Sequence, residues 1–427
     1  MSRTEKFALT AHVLVIEPLS AGARLPMAAQ ALGAEVTAMA LDRGAVRLGE
    51  ACRSHIDRLI HINVSDEAAV LGEVERLHAA RPITAVIPGF ELFVPLAHRL
   101  AARLGLPINE PSLVDATRLK DLMMARALAC GLRVPRTHLV RDRRQAMEAA
   151  AEVGYPAVVK APDSTASTDV YKVHDEAALL DRCARIWRRP PDEDWDFPLE
   201  PSALVQEFVT GPELSVETVS FGRGPALVNV TDKLVTDGPH FVELGHCVPS
   251  SLPESALEAV GAFAADVHEA FGIRVGAAHM ELRLRSSGEP VLIEVAARLA
   301  GDRIIDLVEE ATGVDMCRET VRAFLGAAGP ERPLRYSGAA CVRFVTAPGA
   351  GSFQVDTTQA RSLPGVYDLH VPDAINASGA LRDYRDRHGN LVVRAGTTAQ
   401  ARRLADQALR LISFTPVTTD AVTQEAP

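Results

Sequence analysis

Two glutamates, Glu281 and Glu294, carry the strongest chemical signal in this sequence. They lie in GAAHMELRLRSSGEPVLIEVAARLAGDR, residues 276–303. The stretch folds naturally as a hairpin about Ser287-Gly288, a turn dipeptide. Met280 then faces Val295, Leu282 faces Ile293 and Leu284 faces Val291, an apolar face fit for a core. On the other face Glu281 opposes Glu294, with His279, Arg283 and Arg298 alongside. Opposed side chains have Cβ atoms about 4.5–5.5 Å apart, and like charges there repel. A cation between the carboxylates removes that repulsion. Two carboxylates with coordination positions to spare suit Mg²⁺ held together with substrate phosphates. The alternative is a solvated hairpin face with two incidental glutamates.

Lysine usage points the same way. The chain has 45 basic Lys and Arg residues, of which the lysines are only Lys6, Lys120, Lys160, Lys172 and Lys233. A chain that nearly always uses arginine keeps lysine where a compact ammonium is wanted, for instance on a phosphate; codon bias explains others.

These residues need a scaffold. HVLVIE (12–17), AEVTAMAL (34–41) and ITAVIPG (83–89) read as strands. Helical segments at 23–32, 66–79 and from 90 to 104 alternate with them, which indicates an α/β layer with a parallel sheet. Ligands in such sheets sit beyond the strand C-termini, so Glu91 is either a ligand contact or a capping carboxylate. No GxGxxG follows the first strand, so a dinucleotide site is not supported. Residues 112–130 read as a helix containing Lys120. YPAVVK ends at Lys160 and enters APDSTASTDV, a hydroxyl-rich loop before YKVH: a phosphate-covering flap or a plain hairpin loop. RRPPDEDWDFPLEPS (188–202) reads as an exposed connection. SALVQEFV, LSVETVSF and ALVNVTDKLV read as strands, HFVELGHCVPSSLP (240–253) as irregular, and 254–271 as a helix. Two more helices at 302–312 and 315–327, further strands, a helix in TAQARRLADQALRLI and a disordered tail of about a dozen residues complete the chain.

At 427 residues the chain is too long for one ordinary core. Its 47% apolar and 23% charged residues make it globular. A net charge of −10 argues against nucleic-acid or anionic-membrane partners. The six cysteines show no CxxC spacing and are expected as free thiols in a reducing compartment. No cleavable signal pattern and no long apolar span occur, so the expected location is cytoplasmic.

The order of parts resembles the ATP-grasp superfamily: Lys120, Lys160 closing a strand, QEFVTGPELSVE, and a two-glutamate hairpin ending in IEVAARLAGDR. Within it, HFVELGH, GAAHMEL and EVAAR look most like the L-amino-acid ligases, which form dipeptides with ATP yielding ADP and phosphate. The resemblance implies an ATP-grasp fold, α/β with an α+β grasp: a parallel α/β domain (1–111), linker helices and an ATP lid (112–210), a catalytic domain with the metal hairpin (211–330) and a β-rich C-terminal subdomain with tail (331–427). It implies ATP and Mg²⁺, usually two ions, with Mn²⁺ as a substitute. Lys120 and Lys160 would contact phosphates, with flap hydroxyls such as Ser167 standing in for the usual glycines. Glu207, Phe208 and Val209 would hold adenine, Glu213 the ribose, and Glu281 and Glu294 the metal. Arg298 would hold the activated carboxylate, and Lys233 would reach the phosphates. Glu243, His246 and Glu91 would line the pocket for the first amino acid. Asp302 stands where related ligases vary the pocket, and Ala296 replaces a common asparagine. His246 is a candidate base for the attacking amine or a structural hydrogen-bonding residue. The partners implied are small amino acids and a homodimer. Rival readings are a carboxylase or formyl-phosphate enzyme of the same fold, and an ATP-binding regulator without turnover.

Overall fold

The computed structural model describes residues 11–195 and 197–417; the expected tail falls almost wholly outside them. The N-terminal layer holds β1 (His12–Ile16), β2 (Glu35–Ala40), β3 (Arg58–His61) and β4 (Ala85–Pro88). They pair in parallel in the order β3-β2-β1-β4. The run HVLVI is buried at every residue, as suits a central parallel strand with both faces covered. β3 is a half-exposed edge strand that the sequence pattern does not reveal. The loops after β1 and β4 meet so closely that a Cβ on Gly22 would lie 1.8 Å from the Gly89 carbonyl oxygen. Only glycine permits that approach, and it brings Phe90-Glu91 to the strand C-termini.

The next sheet holds β5 (Thr137–Val140), β6 (Ala157–Lys160), β7 (Val170–Val173) and β8 (Ala203–Glu207), antiparallel in the order β5-β8-β6-β7. Helices Arg143–Val153 and Glu176–Trp187 pack on it. Asp142 and Asp175 start them by accepting from the amides of Gln145 and Ala178 at 2.9 and 2.8 Å. The helix expected at 112–130 begins instead at Lys120. The Lys120 amide is bonded to the Pro162 carbonyl at 2.9 Å, which ties the helix start to the flap and leaves two short turns upstream. The 188–202 connection, expected to be exposed, is buried at Trp195 and Ser202. Trp195 is buried, stacked on Phe90 with centroids 5.4 Å apart and edge-on to Phe93 at 5.6 Å. Burial of so large a ring outweighs the polar character of its neighbours, and it fastens the lid to the N-terminal layer beside Glu91.

The later strands are β9 (Glu213–Phe221), β10 (Pro225–Val235), β11 (Glu243–Val248), β12 (Val275–Leu284), β13 (Pro290–Ala296), β14 (Ala339–Thr346), β15 (Ala350–Asp356), β16 (Val366–His370), β17 (Ala374–Ser378), β18 (Arg387–Ala395) and β19 (Ser413–Pro416). Eight of them form one antiparallel sheet, β13-β12-β9-β10-β11-β14-β18-β16, and β17-β15-β19 form a small one. The large sheet therefore runs on past residue 330 into the C-terminal strands. β11 corrects the reading of 240–253 as irregular: ELGHCV lacks alternation, and its pairing with both β10 and β14 makes it a strand.

The hairpin register holds at Met280–Val295 and Glu281–Glu294, then shifts. Leu282 pairs with Leu292 and Leu284 with Pro290, not with Ile293 and Val291. The bulge adds Ile293 to the same wall as Glu294. The cysteines need a correction too. Cys247 and Cys341 stand directly opposite on β11 and β14 and are joined by a disulfide, while Cys52, Cys130, Cys183 and Cys317 are free thiols. Register, invisible in the spacing, brings the pair together, and the argument for a reducing compartment loses its ground. No helix among the described residues is long and apolar enough to cross a membrane.

Candidate active site

One cavity of about 370 Å³ lies between the lid, the N-terminal loops and the large sheet. It is lined by the residues to which the resemblance gave ligand, metal or substrate roles: Glu91, Lys120, Lys160, Ser167, Glu207, Phe208, Val209, Glu213, Lys233, Glu243, His246, Glu281, Glu294, Arg298 and Asp302; Lys172 and Ala296 are not on its wall. Ladder pairing sets the central pair, with Glu281 opposite Glu294 across β12 and β13.

Cations crowd the Glu294 side. Lys120 Nζ donates to the Ser164 carbonyl at 2.7 Å and lies 3.2 Å from Glu294. Lys160, at the end of β6, is 3% exposed and lies in no ion pair among the described residues. Burial and then the charge of Lys120 push its ammonium down to about 8, against the pull of Glu294, Glu281 and Glu213. Arg298 is bound to Glu91, with Nε to carboxylate at 3.0 Å and a closer Nη2 contact. Burial raises the Glu91 carboxyl, but Arg298, Arg118 and Lys120 more than offset it and hold it at about 2.

On the other side Lys233 is the hub. It contacts Glu281, lies 3.1 Å from Glu213 and 3.6 Å from Glu243. Burial lowers its ammonium, and these three carboxylates raise it well above the ordinary lysine value. Glu281 is also 3.7 Å from His279 Nε2, whose Nδ1 meets the buried Glu217 at 3.2 Å. Glu217 is in turn fixed by Asn229 and Thr231, both at 2.6 Å. Glu217 was missed from sequence; its place two residues before Val219 on an alternating strand carries no mark of the role. The Glu243 carboxylate accepts from Ser167 at 3.1 Å. Burial raises it, Lys233 opposes, and Asp302, Glu281 and Glu213 add to the rise.

A third region is aromatic. Phe208 and Phe241 stack with centroids 6.1 Å apart, and Lys172 and Arg283 lie over Phe208 at 4.2 and 5.2 Å. Arg283 also donates to the Val209 carbonyl at 3.2 Å and to Glu213 at 2.7 Å. Ile293, Phe208 and Val209 give this end of the cavity apolar walls. The Glu207 carboxylate points away, to Arg285 at 3.0 Å and Arg136 at 3.3 Å.

At the far end His246 is 1% exposed, edge-on to Phe344, and neither ring nitrogen has a hydrogen-bond partner. Its Nε2 is 3.7 Å from Asp302. Arg387 clamps Asp302 through two bonds of 2.6 and 2.8 Å and lies over Phe344 at 3.9 Å. Arg387 and Tyr384, also on the wall, come from the C-terminal part of the chain, where no local motif announced them.

An antiparallel grasp over a two-carboxylate hairpin, with buried lysines and a clamped arginine in one cleft, is the architecture expected of an ATP-grasp fold, and the comparisons agree. Residues 153–306 match the model of the ATP-grasp domain and residues 27–108 that of the ATP-grasp N-terminal domain. The chain belongs to the ATP-grasp superfamily. Residues 343–416 match the L-amino acid ligase C-terminal domain 2, so the C-terminal part is of the L-amino acid ligase kind.

Among curated relatives, the y4rH protein of Sinorhizobium fredii is 26% identical over 83% of this chain and 72% of its own length. Human carnosine synthase 1 is 28% identical over 65% of this chain and 35% of its own length. Alanine–anticapsin ligase of Bacillus subtilis is 24% identical over 59% and 56%. The chain thus spans only part of the latter two. The solved L-amino acid ligase from Bacillus licheniformis superposes with a TM-score of 0.75 at 20% identity, over 96% of this chain and 99% of that one. N5-carboxyaminoimidazole ribonucleotide synthetase from Thermotoga maritima shares the fold, with a TM-score of 0.69 at 18% identity over 95% of this chain and 100% of that one.

Proposed function

We propose that this chain is an ATP-dependent carboxylate–amine ligase that joins two amino acids, releasing ADP and phosphate. The observation that carries the reading is the convergence of the Glu281–Glu294 pair, Lys120, Lys160 and Arg298 on one cleft. A carboxylate is a poor electrophile, and phosphorylation makes it one that an amine can attack. The phosphoryl step depends on positioning and charge neutralisation more than on covalent help from the protein.

The donor set fits a hard dication. Glu281 and Glu294 are opposed oxygen donors. No group of three or more His, Cys, Asp or Glu among the described residues could hold a metal ion unaided, so an ion here would need phosphate oxygens or water to complete its shell. Mg²⁺ held there would screen negative charge on the phosphates. In this reading Lys120 and Lys160 bind phosphate, Phe208, Val209 and Ile293 enclose the base, and Glu213 takes the ribose. Arg298 orients the carboxylate to be activated through parallel hydrogen bonds. Glu243 receives the ammonium of the first amino acid, and His246 takes the proton from the attacking amine.

The ligase C-terminal domain supports amino acids over bicarbonate, as do the names of alanine–anticapsin ligase and carnosine synthase. The test is ATP-dependent phosphate release across pairs of common L-amino acids, with mass spectrometry of products. Release that requires two amino acids and yields a dipeptide mass is the expected result. Release driven by bicarbonate, or by no amino-acid pair, refutes it.

A further inference from the structure

A second cavity of about 380 Å³ adjoins the first, and Ser20, Gly301, Asp302, Tyr384 and Arg387 line both. The boundary between them is the Asp302–Arg387 ion pair. Asp302 and Arg303 both adopt left-handed backbone conformations, with φ of 51° and 66°, which carries a local cost for residues with a Cβ. Next to the pair, His246 is buried on the cavity wall, with Nε2 3.7 Å from Asp302 and no hydrogen-bond partner among the described residues.

A preformed ion pair is the complement of a zwitterion. An amino acid inserted between Asp302 and Arg387 exchanges partners: its carboxylate takes the two Arg387 N–H groups that now hold Asp302, and its ammonium takes the freed Asp302 carboxylate. The ammonium gives one proton to His246, whose Nε2 is 3.7 Å from Asp302, which leaves the free amine facing the first cavity while the side chain enters the second. There Arg303 and Asn390, joined at 2.9 Å, line the wall. Resting on the ligase reading above, we infer that Asp302–Arg387 is the docking pair of the amine substrate. That substrate is an amino acid recognised by its free carboxylate, with its side chain in the second cavity.

Hydroxylamine serves as a small amine without a carboxylate. With full-length protein, ATP and each candidate acid, hydroxamate formation reports activation alone. The acid that gives hydroxamate is then offered each common L-amino acid and the carboxamide of the same amino acid. The amide is the weaker base and holds more free amine at neutral pH, so a preference for the acid cannot come from nucleophile supply. We expect KM for the amino acid at least tenfold below that for its amide, and Arg387→Gln to collapse this ratio toward one. Hydroxamate formation with equal use of acid and amide overturns the docking pair and leaves the ligase reading standing. A wild-type ratio in Arg387→Gln overturns it as well. No hydroxamate with any acid removes the ligase reading, and this inference with it. If Arg387→Gln fails to turn over hydroxylamine, the wild-type comparison alone decides.

Discussion

Replacing Arg298 by methionine separates what its pair with Glu91 does for the fold from what it does for the site. Glu91 is 5% exposed. Burial alone would raise its carboxyl, yet Arg298, Arg118 and Lys120 hold it at about 2 against an ordinary 4.5. A drop of that size corresponds to about 3 kcal/mol of stability at neutral pH, at roughly 1.4 kcal/mol per unit. The folded value lies below the unfolded one, so the contribution is complete above the unfolded value and is lost as pH falls through about 2. In Arg298→Met the volume is nearly kept, but a buried carboxylate loses its direct partner, which costs about 3–5 kcal/mol. Burial, now opposed only by Arg118 and Lys120, raises Glu91 from its wild-type value, so the folded variant takes up a proton at higher pH than the folded wild type does. The gap to wild type should narrow as pH falls from about 7.5 to about 4, through the ordinary carboxylate range. Denaturant titration at both pH values reads the gap. Adding Glu91→Gln should restore about 2 kcal/mol or more without restoring ligation. A single variant within about 1 kcal/mol of wild type at both pH values, or a double variant no more stable than the single, refutes the reasoning.

Glu294→Gln should cut ATP-dependent phosphate release by at least about a hundredfold, because a metal-binding oxyanion becomes an amide; wild-type turnover sinks the assignment. Lys160, held at about 8, should take up a proton when phosphate binds. Nucleotide affinity then falls as pH rises past about 8, and calorimetry in buffers of different ionisation enthalpy measures the uptake. Without ligand the sign reverses: the unfolded chain holds this proton more tightly, so stability should rise with pH between about 8 and the ordinary 10.5. Trp195→Ala should cost about 3–5 kcal/mol locally, seen as faster hydrogen exchange in 188–202 and around Phe90. Unchanged exchange there means the ring does not fasten the lid.

Much of the site was legible because its chemistry sits on regular elements. Alternation placed Glu281 and Glu294 on one face and opposite each other, and strand ends marked Glu91 and Lys160. What failed depends on contacts between distant segments. The bulge after Glu281 is set by packing on both sides of the hairpin, so Ile293 looked like a core residue. Trp195 sits among prolines and acids, and only the Phe90–Phe93 surface explains its burial. β11 becomes a strand because β10 and β14 claim it, and the same register brings Cys247 to Cys341. Arg387 reaches the cleft from 85 positions beyond Asp302, a distance no local pattern encodes.

The unbroken eight-stranded sheet has a consequence for recombination. His246 lies on β11, between the strand that carries Lys233 and the strand that opens the C-terminal part. A cut near residue 330 would strip β11 of one neighbour and leave a raw strand edge beside the reactive cleft, a template for aggregation. An exchange of C-terminal parts between homologous chains would repair the edge while importing a new residue in place of Arg387. Under the proposed ligase function, shuffling at that seam is a single step that would exchange the amine pocket while leaving Lys120, Lys160, Glu281 and Glu294 in place.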